Sequence, residues 1–301
     1  MAVRITVVGG ANTDVIGFPE GGYLPRDSNP GHVRTSAGGV GRNVAENLAR
    51  LGVDVRLVTA FGDDEAGSAL REECERVGIE TGFSVLATDT PGSRYLAILD
   101  AEGDLAAAVN DMRALDALVP EALDPAAFAA ADAVVVDTNV SAATVERTAA
   151  LAGAIPVVLD PVSVPKALRG RPVLGRLRAL KANLQEAEAL AGLTGAQDAI
   201  RRLLEVGVGW VFVTRGPDGV LCAAADDEVV LPAPRVAVAN VTGAGDAFTA
   251  GIAYSLATGL GMRDAAAFAG ALSAITLESE CAVSGGVSLD AVRNRMETMI
   301  E

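Results

Sequence analysis

Lysine and histidine are nearly missing from this chain. Of 24 basic residues only two are lysine, Lys166 and Lys181, and the single histidine is His32. A Ser-His-Asp triad would have to be built on that one imidazole, and it lies in NPGHVR, outside any nucleophile elbow. His32 is expected on a surface excursion. No lysine follows a glycine, which removes the phosphate loop G-x4-G-K-[ST]. The three cysteines, Cys74, Cys222 and Cys281, form no C-x-x-C pair. Zinc-ribbon and thioredoxin-like readings go with them, and an odd, unpaired set fits a reducing compartment. No run reaches the roughly 18 uninterrupted apolar residues of a membrane-spanning helix. The apolar start of MAVRITVVGG is too short for a secretion signal and reads as a first strand. A cytoplasmic protein is expected. The formal net charge of −15 argues against nucleic acid or an anionic membrane as partner. It does not exclude a phosphate held by backbone amides.

What is abundant is apolar residues, half of the chain, and glycine, 33 of 301 residues. Short β-branched runs recur at Ile5–Val8, Val55–Thr59, Ala133–Asp137, Pro156–Asp160, Leu177–Ala182 and Trp210–Thr214. Between them Gly41–Leu51, Asp64–Val77 and Ala142–Ala152 carry apolar residues at helical spacing. This alternation predicts an α/β fold with a mostly parallel sheet covered on both faces. Ligands of such sheets bind beyond the carboxyl ends of the strands. Two stretches break the rhythm, Gly17–Thr35 and a hairpin pattern over Ser93–Val109. They fit a small sheet outside the main one, acting as a lid over residues of about 15–36 and 92–112, or two ordinary surface excursions. No repeat or linker divides the chain, so 1–301 is expected to be one domain.

The sharpest motif is NVTGAGDAFTA, Asn240–Ala250. A strand is expected at Arg235–Ala239, then Thr-Gly-Ala-Gly, then a helix. Gly243 and Gly245 remove Cβ atoms where a ligand must approach backbone. The first amides of the helix have no internal partner, and the helix dipole makes them an anion site. A phosphoryl group in transit needs such an array of donors. Asp246, in the first turn, is positioned to accept a hydroxyl proton. A plain glycine turn with an acidic helix cap would look the same.

A second motif is SAGGVGRNVAENLARLG, Ser36–Gly52. Gly38, Gly39 and Gly41 form a loop, and Val44, Leu48 and Leu51 the buried stripe of a helix starting near Arg42. Arg42, Glu46 and Arg50, four apart, are expected on a solvated face. Asn43, in the first turn, offers both donor and acceptor to a sugar diol, or a polar cap. A third motif is ANTD, where Asn12 and Asp14 fit either ligand contacts at a strand end or an Asx turn. NLQE at Asn183–Glu186 and TRGPDG at Thr214–Gly219 follow strands. The Glu186 carboxylate could hold Mg²⁺ through water, and the glycines at 216 and 219 could let a nucleotide lie on backbone. Lys166, after a proline, could donate to a ligand or be a surface lysine.

AGGVGRNVAENLARLG and NVTGAGDAFTAG, in this order and about 200 residues apart, resemble the two signatures of the carbohydrate kinase family that contains ribokinase and adenosine kinase. The resemblance spans nearly the whole chain. It implies a ribokinase-like three-layer α/β/α sandwich with a β lid, and an enzyme that uses Mg·ATP. On matched positions it implies Asp246 as base and Gly243, Ala244 and Gly245 as anion hole. Asn12, Asp14, the Gly38–Gly39 loop and Asn43 would hold the sugar, with Asn139 as a further contact. Asn183, Thr214, Gly216, Gly219 and Thr242 would lie on the nucleotide, with Glu186 near Mg²⁺. Family members often dimerise through the lid, so a homodimer is expected. Ribokinases usually carry Asp-Thr before TGAGD, where the Asp helps to bind potassium. Here Asn240 and Val241 stand instead, and a monovalent cation at Asn240 would lack a charged ligand. Within the family, DSNPGHVRTSAGGVGRN, VNDM at 109–112, DTNVS at 137–141 and DPVSVPK at 160–166 are most similar to its pseudouridine-kinase branch, which phosphorylates a nucleoside 5′-hydroxyl. A ribokinase, a kinase of another nucleoside, and a sensor that has lost catalysis are the alternatives; the intact TGAGD speaks against the last.

Overall fold

The computed structural model describes residues 3–300. The first half of the chain runs β1 (Arg4–Val8), β2 (Asn12–Pro19), β3 (Gly31–Gly38), α1 (Val40–Arg50), β4 (Asp54–Val58), β5 (Ala60–Gly62), α2 (Glu65–Arg76), β6 (Ile79–Glu80), β7 (Val85–Ala87), β8 (Arg94–Leu99) and β9 (Leu105–Asp111). The second half runs β10 (Ala133–Asp137), α3 (Ala142–Ala152), β11 (Val157–Asp160), α4 (Val164–Ala167), β12 (Ala179–Asn183), α5 (Leu184–Ala191), α6 (Ala196–Glu205), β13 (Trp210–Thr214), β14 (Val220–Ala224), β15 (Asp227–Leu231), α7 (Ala244–Ala257), α8 (Met262–Leu277) and α9 (Leu289–Ile300).

The main sheet has the order β15-β14-β13-β12-β11-β10-β1-β4-β6. From β13 to β6 every pairing is parallel, and β14 and β15 extend the edge antiparallel. Strand side chains alternate between the two faces. Ile5, Val7, Val135 and Phe212 pack with Val44 and Leu48 of α1, Leu70 of α2 and the inner faces of α7 and α8. Val8, Val134, Val136 and Val211 pack on the other side with α3, α5 and α6 through Val145, Leu190 and Leu203. Two helical layers around one sheet give the α/β/α sandwich. Each fully buried Leu, Ile or Phe in it contributes roughly 1.5–3 kcal/mol before conformational entropy is charged against it.

The two irregular stretches pair, as the hairpin pattern suggested, into a separate four-stranded sheet of order β3-β2-β8-β9. Its first strand, β2, starts earlier than expected, at Asn12. Asn12 and Asp14 lie inside β2, opposite Gly38 and Ser36 of β3, so they do not form an Asx turn. One face carries the row Ser36, Asp14, Tyr95 and Asn110, and the other the row Thr35, Val15, Leu96 and Val109. His32 sits on this sheet, stacked on Phe18 at 4.8 Å between ring centroids.

Two expectations fail. Residues Arg235–Ala239 form no strand. They follow Pro232 and Pro234, which lack the N–H a ladder needs, and Val238 is left exposed. Arg42 and Glu46 are not solvated either, each being 4% exposed. They pair with each other inside the fold, where Glu73 of α2 and Arg50 join them. Charges spaced four apart read alike on a wet face and in a buried network, so periodicity alone could not separate the two.

Candidate active site

Five strand ends and the starts of four helices, α1, α4, α5 and α7, meet at the carboxyl edge of the main sheet. At the end of β1, Gly9 and Gly10 pass so close to the end of β10 that side chains would collide with Asp137 and Asn139. Asp137 accepts the Gly10 N–H at 2.9 Å and the Asn139 N–H at 2.8 Å. The chain then enters β2, where the Asn12 Nδ2 donates to Asp14 Oδ1 at 2.6 Å. Gly38 lies against the Asp14 carboxylate, and any Cβ there would overlap it. Gly39 has φ 97°, a conformation open to glycine, and caps α1. Asn43, in the first turn of α1, then reaches across 203 positions of sequence and donates to Asp246 Oδ2 at 2.8 Å.

Asp246 opens α7, which packs over β1, β10, β11 and β12. Gly243 holds φ 83° as its N-cap, pressed on the Ala282 carbonyl so that no side chain fits. The N–H groups of Gly245 and Asp246 find no acceptor among the described residues. They are free donors at a positive helix end. Asp246 keeps some solvent contact, yet its carboxyl is pushed up to about 7, by desolvation first and then by the Asp160 carboxylate. The Lys181 ammonium and the Asn43 hydrogen bond work in the opposite direction.

Beneath this loop lies a network that the sequence reading missed. Asp160 ends β11 and accepts from Lys181 Nζ at 3.2 Å and from Thr249 Oγ1 at 2.7 Å. Its other oxygen accepts the Val162 N–H at 3.0 Å. Val162 has φ 61°, which a β-branched residue adopts only under constraint. That turn leads into α4, where Lys166 Nζ donates to Asn139 Oδ1 at 2.6 Å. Arg169 Nη1 fixes the same loop by donating to the carbonyls of Thr138, Asn139 and Val140 at 2.8–3.1 Å. One signal was available: the runs AVVVD and VVLD both close on an acid at the ligand-binding edge of the sheet.

On the other flank, Asn183 caps α5 and forms a capping box with Glu186. The box uses one carboxylate oxygen of Glu186, accepting the Asn183 N–H at 2.9 Å, and leaves the other free. Burial raises the Glu186 pKa. The free oxygen fits an ion such as Mg²⁺ that keeps most of its waters. Among the described residues no three His, Cys, Asp or Glu side chains stand together as a metal cage. Thr214 lies beside Asn183 in register and donates to the Ala182 carbonyl at 3.3 Å, with Gly216 and Gly219 both at positive φ beyond it. These residues lie at the ends of β12 and β13 and the turn beyond. The sugar-side candidates Asn12, Asp14, Gly38, Asn43 and Asn139 gather on the opposite flank. Asn240 does not fit a cation. Its amide oxygen accepts the Thr242 N–H at 2.9 Å, and its NH₂ end faces the Glu280 carbonyl at 3.1 Å. The side chain thus ties the glycine turn to the 278–282 loop by itself.

A helix start with free amides, beside a carboxylate whose pKa desolvation raises and an asparagine that donates to it, offers donors and an acceptor that phosphoryl transfer can use. A family model described as pfkB family carbohydrate kinase matches residues 3–286. This chain belongs to that family. It is 38% identical over 281 residues to an uncharacterised sugar kinase of Escherichia coli (strain K12), covering 91% of this chain and 78% of that protein. It is 33% identical over 301 residues to the pseudouridine kinase of the same organism, covering 97% and 96%. The solved structure of a ribokinase from Thermotoga maritima superposes with a TM-score of 0.85 over 100% of this chain and 99% of that one, at 24% identity, a likeness of fold. The ribokinase-like architecture and the class of reaction, kinase chemistry on a sugar or nucleoside, follow from this membership.

Proposed function

We propose that the protein transfers the γ-phosphoryl group of ATP to the 5′-hydroxyl of pseudouridine, with Asp246 as the base. The contact between Asn43 and Asp246 carries this reading. It joins the sugar-side glycine motif to the phosphoryl-side one at a single carboxylate. In the reaction the hydroxyl proton passes to Asp246 as the 5′-oxygen bonds to phosphorus. The bond from that phosphorus to the β–γ bridging oxygen breaks, and ADP leaves. The amides of Gly245 and Asp246 donate to the equatorial oxygens, where charge is spread. Asn12, Asp14, Gly38, Gly39 and Asn43 hold the ribose. Asn183, Thr214, Gly216, Gly219 and Thr242 line the nucleotide side. Glu186 would hold Mg²⁺ through water, and the ion when bound offsets phosphate charge. No step is assigned to a monovalent cation.

Lys166 and Asn139 are suited to reading the base. The ammonium can donate to a uracil carbonyl, and the amide can accept from a ring N–H. Burial lowers the Lys166 pKa, although Asp137 opposes this. Attached through carbon, the uracil of pseudouridine keeps an N–H that uridine lacks, so an acceptor here discriminates between them. The small sheet is proposed as the lid. Its outer row of Val15, Leu96 and Val109, with Leu96 44% and Val109 64% exposed, is proposed as the contact with a second copy of the chain. ADP release with pseudouridine, uridine, adenosine and ribose tests the substrate. The proposal expects pseudouridine to be preferred by at least about tenfold in kcat/KM, one good hydrogen bond's worth. A preference for ribose or uridine overturns the substrate while sparing the kinase chemistry. No ADP with any of them, nor with other sugars and nucleosides, would favour a sensor.

A further inference from the structure

Both of the chain's lysines stand in this cleft, and only Lys166 has a part in the reading above. Lys181 sits in the middle of β12, a strand otherwise made of Ala, Leu and Asn. A lysine there takes an ammonium out of water, which is costly without compensation. Compensation is at hand. Nζ donates to Asp160 Oδ2 at 3.2 Å. Thr249 Oγ1, from α7, donates to the same oxygen at 2.7 Å and lies 3.2 Å from the Gly245 carbonyl. The ammonium also rests against Gly245 itself, since a Cβ built on that residue would stand 2.7 Å from Nζ. The glycine between the two free amides is therefore needed partly to admit this side chain.

We infer that Lys181 is a positioning residue of the transfer site: its buried ammonium, clamped by Asp160 and seated against Gly245, is the counter-charge that keeps Asp246 ionised and able to take a proton. The inference rests on Asp246 being the base. Every element packed near that carboxylate bears on the balance. Asp137 of β10 and Asp160 of β11 are negative and oppose ionisation. Asn43 of α1 is neutral and donates to it. Glu186 of α5 faces Lys181. Ser273 of α8 is neutral and bonds the Ala244 carbonyl. Arg42 of α1 is committed to Glu46 and Glu73. Lys181 is then the cation that acts on Asp246. Although burial works against its charge, the carboxylates of Asp160, Asp246 and Glu186 raise its pKa. It stays protonated across the working range.

Charge balance makes a test that packing cannot imitate. A base works deprotonated, so kcat/KM falls as pH drops through its pKa. Removing the cation in Lys181→Met moves that acid limb to higher pH by about one unit or more. Removing the like charge in Asp160→Asn moves it to lower pH. The double variant returns the limb toward the parent position, and Lys181→Arg leaves it in place even if turnover suffers. The pH profiles of kcat/KM for these four enzymes, measured with Mg·ATP and pseudouridine, decide the matter. An acid limb that does not move in Lys181→Met or Asp160→Asn overturns the inference, and Asp160→Asn suffices where the methionine variant fails to fold. Asp246→Asn is assayed alongside. Its activity remaining near normal would sink the base assignment, whereas its loss with unmoved limbs elsewhere sinks only the role of Lys181.

Discussion

At the mouth of the main sheet Asp137, Asp160, Lys181 and Asp246 are fixed against bare glycine backbone, while the outer row of the small sheet, Val15, Leu96 and Val109, contains no charge at all. The first region depends on position. Its glycines fit because a Cβ on Gly9, Gly38 or Gly243 would overlap a carboxylate or a carbonyl. Its charges are worth much or cost much according to small displacements, because they are shielded from water. The second region depends on area. Apolar burial is non-directional and roughly proportional to the surface removed from water, so one aliphatic side chain there can stand for another. Turnover should be fragile to single atoms in the first region and indifferent to shape in the second.

The contrast is broken or sharpened by two variants. Gly243→Ala forces a Cβ into the Ala282 carbonyl and a positive φ on alanine, which displaces the amides behind Asp246. The loss of one such donor usually costs about 10²–10³-fold in kcat, and a fall of that size with little change in KM for the nucleoside is expected. Parent-like turnover would mean that the amides of this turn do not meet the phosphoryl group. On turnover the smaller effect comes from Leu96→Asp. An unpaired charge in an apolar contact costs several kcal/mol, so self-association should weaken by roughly 100-fold or more while kcat stays near the parent value. Sedimentation against protein concentration measures the first and ADP release the second. A variant that stays associated removes this face as the contact between copies.

The same contrast governs how much was legible in the sequence. TGAGD and GGVGRN were readable because a glycine turn before a helix is a local event, and its free amides follow from helix geometry alone. The parallel sheet was readable because its buried strands are nearly continuous apolar runs. The hairpin over Ser93–Val109 carried its own turn. Contacts distant in sequence were not readable. Thr249 meets Asp160 across 89 positions, and nothing near either residue announces it. Lys181 stood in the strand run LRALKA with no acid beside it, since the Asp160 that neutralises it belongs to the neighbouring strand. The buried pair of Arg42 and Glu46 was misjudged for the same reason, because Glu73, which joins it, comes from α2 and α7 packs on α1 from the far end of the chain. The strand expected at Arg235–Ala239 had the right alternation but followed two prolines, Pro232 and Pro234.

The transfer mechanism turns on one carboxylate, and replacing it by its uncharged isostere tests it most directly. Asp246→Asn keeps the shape and the hydrogen-bonding reach toward Asn43 while removing the proton acceptor. With Mg·ATP and pseudouridine, kcat for phosphoryl transfer should fall by roughly 10²–10⁴-fold, with the fold and the nucleoside affinity retained. Turnover close to the parent rate in that variant would contradict the mechanism.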